Sequence, residues 1–153
     1  MILYRFSRKE FGSQLSGRGA ELYGGRWNSK GVPVIYCAES RALAVTEMIA
    51  YAPPGLIPEG YQLHIIEIPC PVNPECIVSA KILPEDWKKY PHGKVTKKIG
   101  DGMLRSGKCP MIQVPSALVE GEFNYLLNPN HPDFVQAKIL EVLPFNFNER
   151  LFR

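Results

Sequence analysis

Long apolar runs are missing from this 153-residue chain. No stretch approaches the ~20 consecutive apolar residues that a membrane-spanning helix needs. The opening Met-Ile-Leu-Tyr-Arg-Phe-Ser-Arg-Lys has neither an apolar signal core nor a small-residue cleavage site. A cytoplasmic protein that makes no use of membranes is the expectation. Charge of one sign is also scarce: the net charge is +3, too little to argue for a nucleic-acid partner. Cysteine is sparse and scattered. Cys37, Cys70, Cys76 and Cys109 form no Cys-x-x-Cys pair, and no histidine stands at ligand spacing from them. That argues against zinc, and the expected reducing compartment argues against disulfides. Cys37, in an apolar run, reads as a small buried hydrophobe. Repeats, linkers and low-complexity segments are lacking as well, so one domain over residues 1–153 is expected. There is no Gly-x-Gly-x-x-Gly between a strand and a helix, no phosphate-cradling Walker loop, no His-Glu-x-x-His and no nucleophile elbow.

With 45% hydrophobic and 22% charged residues, the composition is that of an ordinary globular protein able to bury a core. Its charge is unevenly placed. Residues 1–31 carry Arg5, Arg8, Lys9, Arg18, Arg26 and Lys30 against Glu10 and Glu21 alone, so the rest of the chain is slightly acidic. A short basic, glycine-rich segment suits a ligand with a few phosphates better than a polymer with many.

Ile2 to Phe6 reads as a first strand. Residues 12–31, with Gly12, Gly17, Gly19, Gly24, Gly25 and Gly31, read as loop. Val32 to Ala38 reads as a buried strand. Ser40 is placed to cap a helix that runs to about Tyr51 and ends before Pro53-Pro54-Gly55. Tyr61 to Ile68 is a third strand, followed by a proline-rich turn and a short strand at Ile77 and Val78. Pro84-Glu85-Asp86-Trp87 has the look of a helix start. Val95 to Arg105 is helical in pattern, although Gly100 and Gly102 oppose it. Met111 to Val114, Phe123 to Leu127 and Ala137 to Val142 complete the strands. Strands outnumber helices without alternating with them, which argues for α+β, a small mixed-sheet single domain, over a doubly wound fold.

Four features carry candidate chemistry. In Gly24-Gly25-Arg26-Trp27-Asn28, glycines let backbone approach a ligand, Arg26 can grip a phosphate and Trp27 offers a stacking face; the alternative is a turn with a packed tryptophan. Glu47, among Leu43, Ala44, Ala50 and Tyr51 at helical spacing, either lines a pocket or reaches solvent. Ser116 in Val114-Pro115-Ser116-Ala117 either turns the chain or bonds a hydroxyl. Asn124 points into a site or into a core network. His64, His92 and His131 are scattered and read as structural. A carboxylate, arginines and an aromatic face together fit cleavage of a nucleotide's N-glycosidic bond, in which positive charge builds on the sugar.

The ordered run of Leu3-Tyr4-Arg5, Gly25-Arg26-Trp27-Asn28-Ser29-Lys30-Gly31, Ile35-Tyr36-Cys37-Ala38 and Ala42-Leu43-Ala44-Val45-Thr46-Glu47 resembles the RES-domain family. So do Ile99-Gly100-Asp101, Val114-Pro115-Ser116-Ala117 and Asn124-Tyr125-Leu126-Leu127-Asn128-Pro129 in the second half. The family takes its name from an Arg, a Glu and a Ser, which fall on Arg26, Glu47 and Ser116. The resemblance implies a fold similar to the ADP-ribosyltransferase toxins and an NAD-degrading toxin of a bacterial toxin–antitoxin pair. It implies phosphorolysis or hydrolysis of the nicotinamide–ribose bond, with inorganic phosphate as a co-substrate and no metal or further cofactor. It places Glu47 at the reacting ribose, Ser116 near that ribose or the incoming phosphate, Tyr36 beside the nicotinamide or its ribose, and Arg5, Arg26, Trp27 and Asn124 around the bound NAD. It further implies an Xre-like antitoxin that blocks the cleft; a homodimer is compatible with it. The alternatives are an ADP-ribosyltransferase acting on a macromolecule, or a non-catalytic module that binds nucleic acid or a protein partner.

Overall fold

The computed structural model describes every residue of the chain except Gly12. Six strands form one sheet in the order β4-β5-β2-β1-β3-β6: β1 is Ile2–Arg8, β2 Ile35–Ala38, β3 Tyr61–Glu67, β4 Met111–Pro115, β5 Phe123–Leu127 and β6 Lys138–Phe145. Three helices accompany it, α1 at Arg18–Tyr23, α2 at Arg41–Tyr51 and α3 at Lys94–Ser106. The fold is α+β. The five ladders joining the strands are antiparallel, and the isolated bridge Ile77–Gln113 beside them is parallel.

Register decides which residues share a face, because side chains alternate along a strand. Tyr4 lies opposite Ala38 and Ile65, and Ala38 lies opposite Asn124, which in turn faces Val114. Tyr36 pairs with Leu126 on that same face. Leu3, Ile35, Cys37, Ile66, Met111 and Leu127 form a core on the opposite face. On the first face, Leu104 of α3 packs into a core with Trp27, Val34, Trp87, Ile112 and Leu126. Helix α2 there buries Leu43 and Ala44 against Ala38, with Tyr4 and Phe6 packed alongside. Full burial of a side chain such as Leu43 contributes about 1.5–3 kcal/mol.

The sequence-based boundaries hold for α2 and β5 and are corrected at several other places. Ser40 Oγ accepts a hydrogen bond from the Leu43 N–H at 3.0 Å, the expected N-cap. The 12–31 segment is not all loop. Its glycines bracket α1 instead of abolishing it: Gly17 precedes the helix with φ 69°, and Gly24 follows it with φ 71° while donating to Ala20 O. Gly12 lies outside the described residues. Strand β2 starts at Ile35, so Val32 to Val34 leads into the ladder without joining it. Ile77 and Val78 make a bridge and one backbone bond to Gln113 O, not a strand. Pro84 opens only a succession of turns; the reason lies with Arg26, below.

Helix α3 runs through Gly100 because glycine is required there. A Cβ at residue 100 would sit 1.8 Å from the Trp27 carbonyl oxygen. Helix and Arg26 loop thus meet backbone to backbone.

The disulfide expectation is overturned. Cys76 and Cys109 are joined, with Cα atoms 5.9 Å apart. Both lie in the core under α3, where the Ile77–Gln113 bridge lays their segments side by side. Cys37 is buried and unpaired, as expected of a small hydrophobe, and burial pushes its thiol up to about 12.

Candidate active site

Glu47 lies one helical turn after Leu43, so α2 turns both toward the sheet. Leu43 is buried and Glu47 half-buried at the margin of that contact. Two groups from distant parts of the chain meet its carboxylate. Asn124 Nδ2, on β5, donates to Glu47 Oε1 at 2.6 Å. The Ser116 hydroxyl, just past the end of β4, donates to the same oxygen at 3.3 Å. Ser116 Oγ also accepts the backbone N–H groups of Leu118 and Val119, each at 3.1 Å, which fixes the hydroxyl in its turn. One carboxylate oxygen is therefore held from two sides, while Oε2 has no hydrogen bond from any described residue. A carboxylate held in this way keeps a lone oxygen available to a ligand's hydroxyl or developing cation.

Arg26 and Tyr36 belong to a neighbouring network around the loop from Gly25 to Ser29. The Tyr36 hydroxyl accepts the Trp27 N–H at 3.1 Å and donates to Asn28 Oδ1 at 2.7 Å. Burial raises its pKa, so the phenol stays protonated. Gly25 sits against this hydroxyl; a Cβ there would come within 2.7 Å of it. Asn28, fully buried, spends its amide on the carbonyls of Ala20 and Val32 at 2.8 and 2.9 Å. Asp101 on α3 accepts the Ser29 N–H at 2.8 Å and the Ser29 hydroxyl at 2.6 Å. These contacts fix the Gly25-to-Ser29 loop as a rigid scaffold.

Arg26 does not spend its hydrogen bonds as a phosphate grip. Nη1 donates to the carbonyls of Trp87 at 2.5 Å and Lys89 at 3.1 Å, and Nη2 to that of Lys88 at 3.3 Å. Three consecutive carbonyls turned toward one guanidinium cannot point along a helix axis, which accounts for the missing helix after Pro84. The cation still feels the Glu47 charge. Burial lowers its pKa, and the charge of Glu47 is the largest influence raising it.

Two expected ligand contacts are corrected. Trp27 is 3% exposed and packs against Trp87 with ring centroids 6.1 Å apart, so it presents no stacking face. Arg5 follows Tyr4 on β1, and alternation turns it to the opposite face from Asn124 and Tyr36. Its neighbours there are Cys37 and His64, and burial lowers its pKa. The roles of Asn28 and Asp101 were missed. Both belonged to the recognised motifs, but nothing in residue type separates a buried bracing amide from a ligand contact. A cavity of about 260 Å³, lined by Cys70, Lys108, Met111 and His131 among others, lies apart from these groups and contains none of them. The chemistry follows the Glu47 cluster, where the carboxylate and its partners converge.

Fold and site define a class: a small α+β domain built around a single carboxylate held by asparagine and serine, with an arginine scaffold loop beside it. The RES domain family profile matches residues 2–148. The chain is 37% identical over 144 residues to the "Prs ADP-ribosylating toxin" of Sphingobium sp. (strain YBL2), covering 91% of this chain and 87% of that protein. It is 36% identical over 155 residues to "Toxin Res" of Photorhabdus laumondii, covering 100% of this chain and 98% of that one. A further "Toxin Res", from Pseudomonas putida, is 34% identical over 99% of this chain and 100% of its own length. Among solved structures, the M. tuberculosis MbcT–MbcA toxin–antitoxin complex contains a chain of the same fold, with TM-score 0.65 and 20% identity over 99% of this chain and 86% of that one. The protein described here belongs to the RES-domain family.

Proposed function

We propose that this protein is the toxin of a bacterial toxin–antitoxin pair and that it acts in the cytoplasm by cleaving the nicotinamide–ribose bond of NAD, with inorganic phosphate as acceptor. The observation that carries the reading is the Glu47 carboxylate, with Oε1 bound by Asn124 and Ser116 and Oε2 without a hydrogen bond from any described residue. As the C1′–N bond lengthens, its electron pair passes to the pyridinium nitrogen, and neutral nicotinamide leaves. The ribose becomes cationic, and a fixed anion beside it lowers the barrier. A phosphate oxygen then bonds to C1′, giving ADP-ribose phosphate and nicotinamide, with no additional proton or electron required. Arg26 contributes positive field for the phosphates and braces the segment from Trp87 to Lys89. The names of the toxin relatives support the toxin assignment, and the fold neighbour, solved with its antitoxin, supports an antitoxin partner.

A second reading has an observation of its own. The Sphingobium relative is named as an ADP-ribosylating toxin, which would make the acceptor a protein side chain. One experiment separates the two. Partner-free protein is incubated with NAD, with and without inorganic phosphate, and followed by proton and phosphorus NMR. Phosphorolysis predicts nicotinamide and a new phosphate ester only when phosphate is present. Phosphate-independent nicotinamide with free ADP-ribose would indicate hydrolysis. Turnover that needs an added protein, and labels it, would indicate transfer. No nicotinamide under any condition would overturn the proposal.

A further inference from the structure

The cavity of about 260 Å³ lies on the sheet face opposite the Glu47 cluster. Its floor is Met111 on β4 and Leu127 on β5, directly opposed across that ladder and both part of the core of this face. Leu127 is three residues along β5 from Asn124. That is about 10 Å of strand, and alternation puts the two side chains on opposite faces. The walls come from separate segments. Ile68 and Val72 follow β3, and Phe134 belongs to the 3₁₀ turn Pro132–Gln136. An apolar cavity of ~150 Å³ already holds a benzene ring. This one has room for a ring with a short substituent.

The rim of the cavity carries polar groups with capacity to spare. Lys108 borders it, and its ammonium forms no ion pair with a described residue. The His131 side chain, only 12% exposed, borders it too. His131 Nδ1 accepts the backbone N–H of Asp133 at 3.1 Å, so the ring proton resides on Nε2. That Nε2–H has no acceptor among the described residues. Asp133 is the acid of the lining. Its carboxylate is 62% exposed, hence well solvated, and lies 4.0 Å from Nδ1, on the side of the ring away from Nε2. An ammonium and an imidazole N–H above an apolar floor complement a carboxylate on an apolar body. The oxygens accept from both donors, and the body takes water's place against Met111, Leu127 and Phe134.

We propose that this cavity is a binding site for a small carboxylic acid with an apolar body of about one ring. Lys108 and His131 Nε2 hold the carboxylate, and Met111, Leu127 and Phe134 receive the ring. The site shares no residue with the Glu47 cluster, so it stands or falls independently of NAD cleavage.

The test uses phenylacetate, its neutral analogue phenylacetamide and the cation benzylamine. Two readouts locate the probe without any turnover. The four methionines, Met1, Met48, Met103 and Met111, give separate methyl signals in NMR of methyl-labelled protein. Met111 lines the cavity, whereas Met48 is next to Glu47 on α2. Cys70 also lines the cavity and is the exposed free thiol, since Cys37 is buried and Cys76 and Cys109 are joined. Phenylacetate is expected to shift Met111, leave Met48 in place and slow alkylation of Cys70. Phenylacetamide should bind about tenfold more weakly. Lys108→Gln, at an exposed position, should weaken phenylacetate about tenfold and leave phenylacetamide unchanged. No movement of Met111 by roughly 10 mM phenylacetate, the range expected for so small a ligand, would overturn the site. A shift at Met48 alone would do the same. Equal binding of acid and amide, tighter binding of benzylamine, or indifference of phenylacetate to Lys108→Gln would overturn the carboxylate assignment.

Discussion

Asn124 Nδ2 lies 2.6 Å from Glu47 Oε1, the shortest of the contacts that hold this carboxylate, and it joins β5 to α2 across 77 residues. The Ser116 bond to the same oxygen, at 3.3 Å, is longer and shared with two backbone donors. Asn124 is thus the main support of Glu47 and Ser116 a secondary one. Glu47→Gln is expected to lower nicotinamide release at least about a hundredfold, since it removes the anion facing the sugar. Its thermal unfolding should stay within about 1 kcal/mol of wild type, because the side chain is only half-buried. Asn124→Ala should lower the rate about tenfold by freeing the carboxylate to leave its position. Near-normal nicotinamide release from Glu47→Gln would remove this residue from the reaction.

Two glycines of α3 provide a matched pair. A Cβ at Gly100 would lie 1.8 Å from the Trp27 carbonyl oxygen and 2.8 Å from its carbon. Those atoms are backbone and cannot rotate away. Gly102 has nothing within 4 Å and is exposed. Gly100→Ala is expected to destabilise by about 3 kcal/mol or more, through forced separation of α3 from the Arg26 loop. Gly102→Ala is expected to stabilise by about 0.5–1 kcal/mol, through helix propensity alone. Urea unfolding of the two variants checks both signs, and equal effects would refute the close-approach argument.

The same two glycines show what the sequence reveals and what it hides. Counted as helix-breakers, they weakened the reading of α3; in the fold one is a spacer required by Trp27 and the other is incidental. Helix α2 was legible because its Ser40 cap and apolar spacing are local. The strands were legible because β-branched and aromatic runs are local too. Helix α1 was hidden because Gly17 and Gly24 look like loop until they are seen at its two ends. The turns after Pro84 were misread because their carbonyls answer to Arg26, some sixty residues earlier. Glu47 and Ser116 were legible through the family motif. Their meeting at one carboxylate oxygen is a tertiary fact, as is the burial of Trp27 and the turning of Arg5 to the far face.

The Cys76–Cys109 bond closes a segment with a sequence separation of 33 residues, and that segment carries the carbonyls that Arg26 holds. Chain-entropy arguments put such a link at about 3–4 kcal/mol. Urea unfolding with and without reductant should differ by that amount. A Cys76→Ser/Cys109→Ser double variant should match the reduced wild type and be indifferent to reductant. Identical unfolding of oxidised and reduced wild type would show that the bond contributes nothing to stability.

His64 gives the folded state a defined response to acid. It is fully buried on β3, its Nε2 lies 3.0 Å from Ser7 Oγ, and its Nδ1 has no partner among the described residues. Burial, then the positive charge of Arg5, lower its pKa below the ordinary value of 6.5. The folded protein therefore resists a proton that the unfolded chain accepts once the pH drops below about 6.5. Where the unfolded state binds more protons, stability rises with pH, so it is fully present above about 6.5 and falls as the solution becomes more acid. The slope from one histidine cannot exceed about 1.4 kcal/mol per pH unit. His92, whose pKa is also lowered, adds a contribution of the same sign. Chemical denaturation between pH 7.5 and 5.5 should show this decline in the wild type. His64→Gln, which can still reach Ser7 but carries no titrating group, should flatten it in part, leaving the share due to His92. An unchanged slope in His64→Gln would mean that the acid response originates elsewhere in the chain.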